Sequence, residues 1–446
     1  MRTNETRGWF CLSSFFLIRE SIFPAYSTNS HIKINKEHFR GIPMKIMQRI
    51  LITLFLFLCN VTLWTGVVQA EGVEEPVADT EAVDGVVPST SILLMEASTG
   101  KVIKEQDADV CRPPASVTKV MTLLLTFEKL DQGKIHLTDE VTTSARAKSM
   151  GGSQVFLEEG EVQTVETLIK CIAVASGNDA SVAMAEHIAG SEEEFVKLMN
   201  EKAEQLGMKN THFVDCCGLT DSAEHYTTAR DVALMSRELI TKYPDIFHYT
   251  TIWMEDITHT TARGSSNFTL SSTNKLLKQY QWANGLKTGF TSRAKYCITA
   301  TACKNEIALI AVIMGAETKE LRNQTAIELF NYGYSVSNLY MDANQDALEP
   351  VPVEGGVEDT VSIYIEEPFR YLDIDGNDLN QIEKSLQLPE KVTAPVEEGS
   401  VAGRVVYRLG DQEIGSVCVL YGNHVEQAFY FDYLKKMVAT FFLQNF

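Results

Sequence analysis

The chain has no excess of basic residues: 39 lysines and arginines stand against 59 aspartates and glutamates, a formal charge of −20. A nucleic-acid binder needs a basic face to neutralise phosphates, so nucleic acid is excluded as a partner. None of the nine cysteines forms a C-x-x-C pair, which argues against a zinc ribbon or a thioredoxin-type motif. There is no H-E-x-x-H run and no Ser-His-Asp pattern, so neither a metal nor another cofactor is implied. Only one long apolar run occurs, near the N-terminus, which rules out a multi-span membrane protein. What the chain does have is 45% hydrophobic residues, enough for a packed core, and 446 residues, enough for two or three domains.

The apolar run reads as an export signal. Lys45 and Arg49 form a basic start, Ile50 to Trp64 an apolar stretch, and Val68-Gln69-Ala70 places small residues at a cleavage site. Residues 44–70 are therefore expected to be a signal peptide cut after Ala70; an uncleaved anchor helix is the alternative, but the stretch is short for a span. Such peptides begin at the start codon, so residues 1–43 are expected to be an upstream extension foreign to the protein, with the true start at Met44 or Met47. Residues 1–70 hold eight basic and three acidic side chains, so the exported chain would carry −25. It would keep seven cysteines, an odd number with Cys216 and Cys217 adjacent, and no disulfide is expected.

Residues 71–86 form an acidic leader. Residues 87–342 read as α+β. Ser91–Glu96 and Lys101–Glu105 flank a turn as a hairpin, and Ser116–Leu130 has apolar residues at helical spacing. Helical stretches follow at 164–190, 191–206 and 228–242, then strand-like runs at 295–302 and 306–315, then a helix at 319–332. Strands framing helices at both ends predict one shared sheet. Residues 343–426 show short strands between Gly, Pro and Asp turns, a small all-β domain. Asp373-x-Asp375-Gly-Asn377 has its glycine at the wrong offset for a calcium loop and is expected to be a hairpin turn. Residues 427–446 alternate a polar face (Asp432, Lys436, Thr440, Gln444) with Phe431, Leu434, Val438 and Phe441. This suits a helix lying in a membrane surface, the alternative being a helix packed on the β domain.

Three short motifs bear chemistry. In Pro113-Pro114-Ala115-Ser116-Val117-Thr118-Lys119 the prolines place Ser116 at the first turn of a helix, and Lys119 three residues on shares its face. A serine hydroxyl needs a base to become nucleophilic, and a lysine serves if burial lowers its pKa. Ser176-Gly177-Asn178 interrupts an apolar helical stretch, which makes sense if hydroxyl and amide face a cleft. Lys287-Thr288-Gly289 offers a cation, a hydroxyl and close backbone access. Taken singly, each also fits a blander role: an N-cap serine with a solvated lysine, a helix–helix turn, an edge-strand lysine.

Their order and spacing are more specific. Ser-x-x-Lys, Ser-Gly-Asn about 60 residues later and Lys-Thr-Gly about 110 further resemble the signature of penicillin-binding proteins and β-lactamases, with Gly for Asp in the middle motif. Further runs resemble the low-molecular-mass D-alanyl-D-alanine carboxypeptidases, sporulation-type members among them. These are Met150-Gly-Gly-Ser-Gln154, Ser176–Ala180, His225-Tyr-Thr-Thr-Ala229-Arg-Asp231, Gly285–Ala294 and Thr393-Ala-Pro-Val396. The resemblance implies a DD-peptidase/β-lactamase-like domain, an antiparallel sheet flanked by helices with a helical lobe. It implies a serine D-Ala-D-Ala carboxypeptidase acting on peptidoglycan stem peptides and binding β-lactams covalently. Ser116 would be the acylated nucleophile, Lys119 its base and Ser176 a proton relay. Asn178, Lys287, Thr288 and Gly289 would bind substrate; His225 would be structural. Two departures, Asp215-Cys216-Cys217-Gly218-Leu219 for the family's usual Asn-Pro-His-Gly-Leu and Lys295 for a glycine, are expected to leave the three motifs untouched. A β-lactamase would share the motifs, but no Glu-x-x-Leu-Asn element is found; a catalytically idle penicillin-binding module is the non-enzyme alternative.

Overall fold

The computed structural model of the chain describes residues 90–443. The upstream extension, the signal peptide and the acidic leader lie outside the described residues, as do residues 444–446. The framework is a five-stranded antiparallel sheet. Its strands are β1 (Ser91–Glu96), β2 (Val102–Gln106), β3 (Ala283–Thr291), β4 (Lys295–Lys304) and β5 (Ile307–Ala316), in the order β2-β1-β5-β4-β3. The first strands and the last therefore join one sheet, β1 pairing directly with β5.

Strand alternation builds two cores. Leu93 and Met95 of β1 and Ile310, Val312 and Met314 of β5 face one cluster; Leu94, Leu309, Ala311 and Ile313 face the other. The second cluster is covered by a C-terminal helix of this lobe, Lys319–Val336, through Ala326, Leu329 and Phe330. The first is covered by the helices between β2 and β3: α1 (Lys119–Asp131), α2 (Val165–Ala173), α3 (Asn178–Ala189), α4 (Glu192–Gln205) and α5 (Ala229–Lys242). Thr164, Ser191 and Thr228 start α2, α4 and α5 by accepting the backbone N–H three residues on. Helix α1 is buried from Lys119 to Phe127, on every face, which makes it the central post of the lobe.

Two local features depart from the periodicity. The segment Ala115–Thr118 is a 3₁₀ turn, and the α-helix begins only at Lys119. A hairpin of Met254–Thr261 and Gly264–Ser271 was not anticipated, because its Thr- and Ser-rich strands are exposed and show little apolar alternation.

Beyond residue 337 the regular elements are β-strands until the last helix, apart from a 3₁₀ turn at Leu379–Gln381. Ile363–Ile365, Gln412–Tyr421, Val401–Leu409 and Ile382–Gln387 form a sheet in that order, and Asn338–Asp342 pairs with Phe369–Asp373. The core here centres on Tyr407, whose ring stacks on Phe369 at 3.8 Å. Asp373 accepts the Gly376 and Asn377 backbone N–H groups, closing the Asp-Gly-Asn segment as a turn, but not the expected hairpin: the strands flanking it pair elsewhere, Phe369–Asp373 with Asn338–Asp342 and Ile382–Gln387 with Val401–Leu409. The helix Tyr430–Leu443 touches this region through Lys436, which donates to Gly356 O and Asp359. On it Phe431 is 78% exposed, and Tyr430, Met437 and Phe441 are exposed as well, as is Phe429 just before it. No helix among the described residues is long and apolar enough to cross a membrane.

Candidate active site

The site forms where the 3₁₀ turn, the start of α3 and edge strand β3 meet. The two prolines leave Ala115 in the left-handed region, φ +47, and the turn then presents Ser116. Lys119, fully buried, reaches back along the first turn to Ser116 Oγ at 3.0 Å. It also donates to Asn178 Oδ1 at 2.6 Å and to the Cys217 carbonyl at 2.8 Å. The arrangement has a direct chemical reading. A neutral amine has two N–H groups and one lone pair; the amide oxygen and the carbonyl can only accept, so they take both protons. The lone pair is then left facing the Ser116 hydroxyl. Burial pushes the Lys119 pKa down, opposed by the nearby Cys217, Cys216, Asp215 and Asp179.

Ser176 also sits in the left-handed region, φ +64, a strained geometry of the kind that gathers at functional sites. Its Oγ accepts from Lys287 Nζ at 2.8 Å. Asn178 is held by donating from Nδ2 to Gly151 O at 2.7 Å. Lys287 is 1% exposed and also donates to its neighbour's carbonyl, Thr288 O, at 3.0 Å. Burial, then Lys119 and Arg322, push the Lys287 pKa well down. Thr288 donates to Thr273 Oγ1 at 2.9 Å. Gly289 faces the Ala115–Thr118 turn so closely that a Cβ would lie 3.0 Å from Pro114 O and 3.1 Å from Ser116 N. All seven residues singled out from the motifs therefore converge on one place.

The departure at residues 215–219 does not stay apart from the motifs, contrary to expectation. The Cys217 carbonyl binds Lys119, and Gly218 lies against Ala115, where a Cβ would fall 1.8 Å from the carbonyl oxygen. The segment is curled by Asp215, whose carboxylate accepts the Cys217, Gly218 and Thr220 backbone N–H groups. Its function is performed by backbone, so a change of side chain at position 217 leaves the contact in place. Asp179 is a second residue that sequence reasoning passed over. Buried beside Asn178, it accepts the Val155, Leu157 and Ala180 N–H groups and fixes the loop that carries Gly151. Its only signal was membership of the Ser176–Ala180 run.

Comparison with known proteins agrees with this geometry. The peptidase S11 family profile, D-alanyl-D-alanine carboxypeptidase, matches residues 77–318, and the profile of the penicillin-binding protein 5 C-terminal domain matches residues 339–427. D-alanyl-D-alanine carboxypeptidase DacF of Bacillus subtilis is 39% identical over 350 residues, 78% of this chain and 89% of that protein. DacC of Escherichia coli is 32% identical over 373 residues, 81% and 90% of the two chains. The crystal structure of penicillin binding protein 5 from Haemophilus influenzae superposes with a TM-score of 0.64 at 29% identity, covering 76% of this chain and 98% of that one. The chain belongs to the peptidase S11 family of D-alanyl-D-alanine carboxypeptidases.

Proposed function

We propose that this protein removes the terminal D-alanine from peptidoglycan stem peptides through an acyl-enzyme on Ser116, and that β-lactams acylate the same oxygen. The observation that supports this most is the Lys119 nitrogen, 3.0 Å from Ser116 Oγ and also in contact with Asn178 Oδ1 and the Cys217 carbonyl, so that a neutral amine turns its lone pair on the hydroxyl. Lys119 takes the Ser116 proton as Oγ attacks the carbonyl carbon of the penultimate D-alanine. Lys287 and Thr288 hold the substrate's terminal carboxylate by charge-assisted hydrogen bonds. Backbone N–H groups of Ser116 and the residue after Gly289 stabilise the oxyanion, and Asn178 positions both Lys119 and the substrate amide. As the C–N bond breaks, Ser176 relays a proton to the leaving nitrogen; water then hydrolyses the ester. The test is release of D-alanine from diacetyl-Lys-D-Ala-D-Ala alongside penicillin turnover. Peptide turnover with a long-lived penicilloyl adduct is the expected result. Rapid penicillin hydrolysis would indicate a β-lactamase, and labelling without either turnover an idle binding module.

Lys287→Met is expected to lower D-alanine release by about 10²-fold or more, since it removes the only amine offered to the substrate carboxylate. It is expected to change the melting midpoint little, because the burial penalty on the amine is removed while its hydrogen bonds to Ser176 Oγ and Thr288 O are lost. A parallel collapse of midpoint and activity would count against a substrate role.

The same reading places catalysis in residues 87–342, follows it with the β domain 343–426, and puts the enzyme outside the cytoplasmic membrane after export through residues 44–70. The tail, 427–446, rests in the lipid interface. The exposed Phe429, Tyr430, Phe431 and Met437 support this, since each otherwise presents its apolar surface to water. A chain ending at residue 426 should lose co-sedimentation with phospholipid vesicles and keep its turnover of soluble peptide. Equal sedimentation of the two forms would remove the tail from the membrane.

A further inference from the structure

His225 takes no part in the steps above, yet it is 3% exposed and joins two of the segments that build the site. Its Nδ1 accepts from the Val214 backbone N–H at 3.0 Å, and its Nε2 lies 2.8 Å from Thr118 Oγ1. A backbone amide can only donate, so Nδ1 bears the lone pair and the single proton of the neutral imidazole is on Nε2. Nε2 therefore donates to the Thr118 hydroxyl, which in turn donates to the Ala115 carbonyl at 2.8 Å. A directed chain of hydrogen bonds thus runs from Val214 through His225 and Thr118 and ends one residue before the nucleophile.

The end of that chain is where restraint is needed. Ala115 is in the left-handed region, a conformation an alanine keeps only when its surroundings hold it. The Thr118 hydroxyl pins its carbonyl from one side. Gly218 packs on the same spot, where a Cβ would also lie 2.7 Å from Thr118 Oγ1. At the other end, the Val214 N–H belongs to the segment whose Cys217 carbonyl fixes Lys119. One imidazole therefore ties the turn that aims Ser116 to the strand of chain that aims the amine. The ring is kept neutral by its setting: burial holds its pKa below the usual histidine value and His212 adds to this, while Asp215 opposes. The Phe213 ring meets it edge to face at 5.8 Å, and Lys119, next to Thr118, is the titratable group on the helix side.

We propose that His225 is a positioning residue for acyl transfer, acting through Thr118 and Val214 to set Ser116 and Lys119 against one another. This rests on the reading of Ser116 as the nucleophile. The test measures penicillin acylation rate and melting midpoint on the whole chain for His225→Gln, His225→Asn, Thr118→Val, Thr118→Ser and Ser116→Ala. Glutamine can place an amide N–H where Nε2 lies; asparagine can replace the Nδ1 acceptor but falls short of Thr118. His225→Gln is expected to acylate at least about tenfold faster than His225→Asn at similar midpoints. Thr118→Val should be slowed about tenfold or more, and Thr118→Ser, which keeps the hydroxyl, should recover most of that loss. The deficit should lie in the acylation step and leave the initial binding of penicillin unchanged. Equal rates for the Gln and Asn forms, a wild-type rate for Thr118→Val, or losses that merely follow the melting midpoint would overturn the proposal. Should the His225 variants fail to fold, the Thr118 pair decides it. Labelling of Ser116→Ala would remove the nucleophile reading and this inference with it; a silent Ser116→Ala beside an unaffected Thr118→Val removes this inference alone.

Discussion

Ser116→Ala is expected to abolish covalent penicillin labelling and to cut D-alanine release by at least on the order of 10⁴-fold. The reason is chemical: without Oγ there is no atom to form the ester, and the Lys119 amine next to it has nothing to deprotonate. The fold should survive. Ser116 is half-buried, and its Oγ shares one side-chain hydrogen bond with Lys119, worth about 1 kcal/mol. Mass spectrometry of the penicillin-treated protein checks the prediction directly, since the wild-type adduct must map to the peptide containing Ser116. An adduct on Ser176, whose hydroxyl pairs with the other buried lysine, would reverse the roles of the two serines.

The second large effect concerns the base. Lys119→Arg keeps a positive charge and three or more donors for Asn178 and Cys217, yet it is expected to slow acylation by about 10²–10⁴-fold. A guanidinium stays protonated at any working pH and has no lone pair to offer. The same argument fixes the pH dependence of the native enzyme. Acylation requires the neutral amine, so its rate should rise with pH through the lowered Lys119 pKa and then level off; the arginine variant should show no such limb. Stability follows the same sign. Between the lowered native value and the ordinary 10.5 the unfolded chain binds more protons than the folded one, so the native state gains stability as pH rises across that window. The burial cost is absent above 10.5 and complete below the native value. Pre-steady-state acylation across pH tests the first claim. An arginine variant that acylates within tenfold of wild type would show that the proton goes elsewhere.

Much of this was legible without coordinates because it depends on short-range geometry. Ser116 and Lys119 are one turn apart, and that relation holds for almost any helix start, even though the first turn proved to be 3₁₀. The apolar runs that became β4 and β5 announced strands sharing a sheet with β1, and the Ser-Gly-Asn break separated α2 from α3. Lys287-Thr288-Gly289 lies inside edge strand β3, the placement its blander reading gave it, although its small and polar residues hide the β pattern.

By itself, the sequence determined which side chains have the chemistry: a hydroxyl, an amine one turn away, and a second lysine beside a threonine and a glycine. It also determined which elements would carry them, since helical and strand periods are local properties of the chain. Only the tertiary structure decided how the amine is aimed. Its other partners are Asn178, 59 residues away, and the Cys217 carbonyl, 98 residues away. A carbonyl has no signature in a list of side chains, and the left-handed turns at Ala115 and Ser176, like the imidazole that braces the first of them, exist because packed neighbours hold them there.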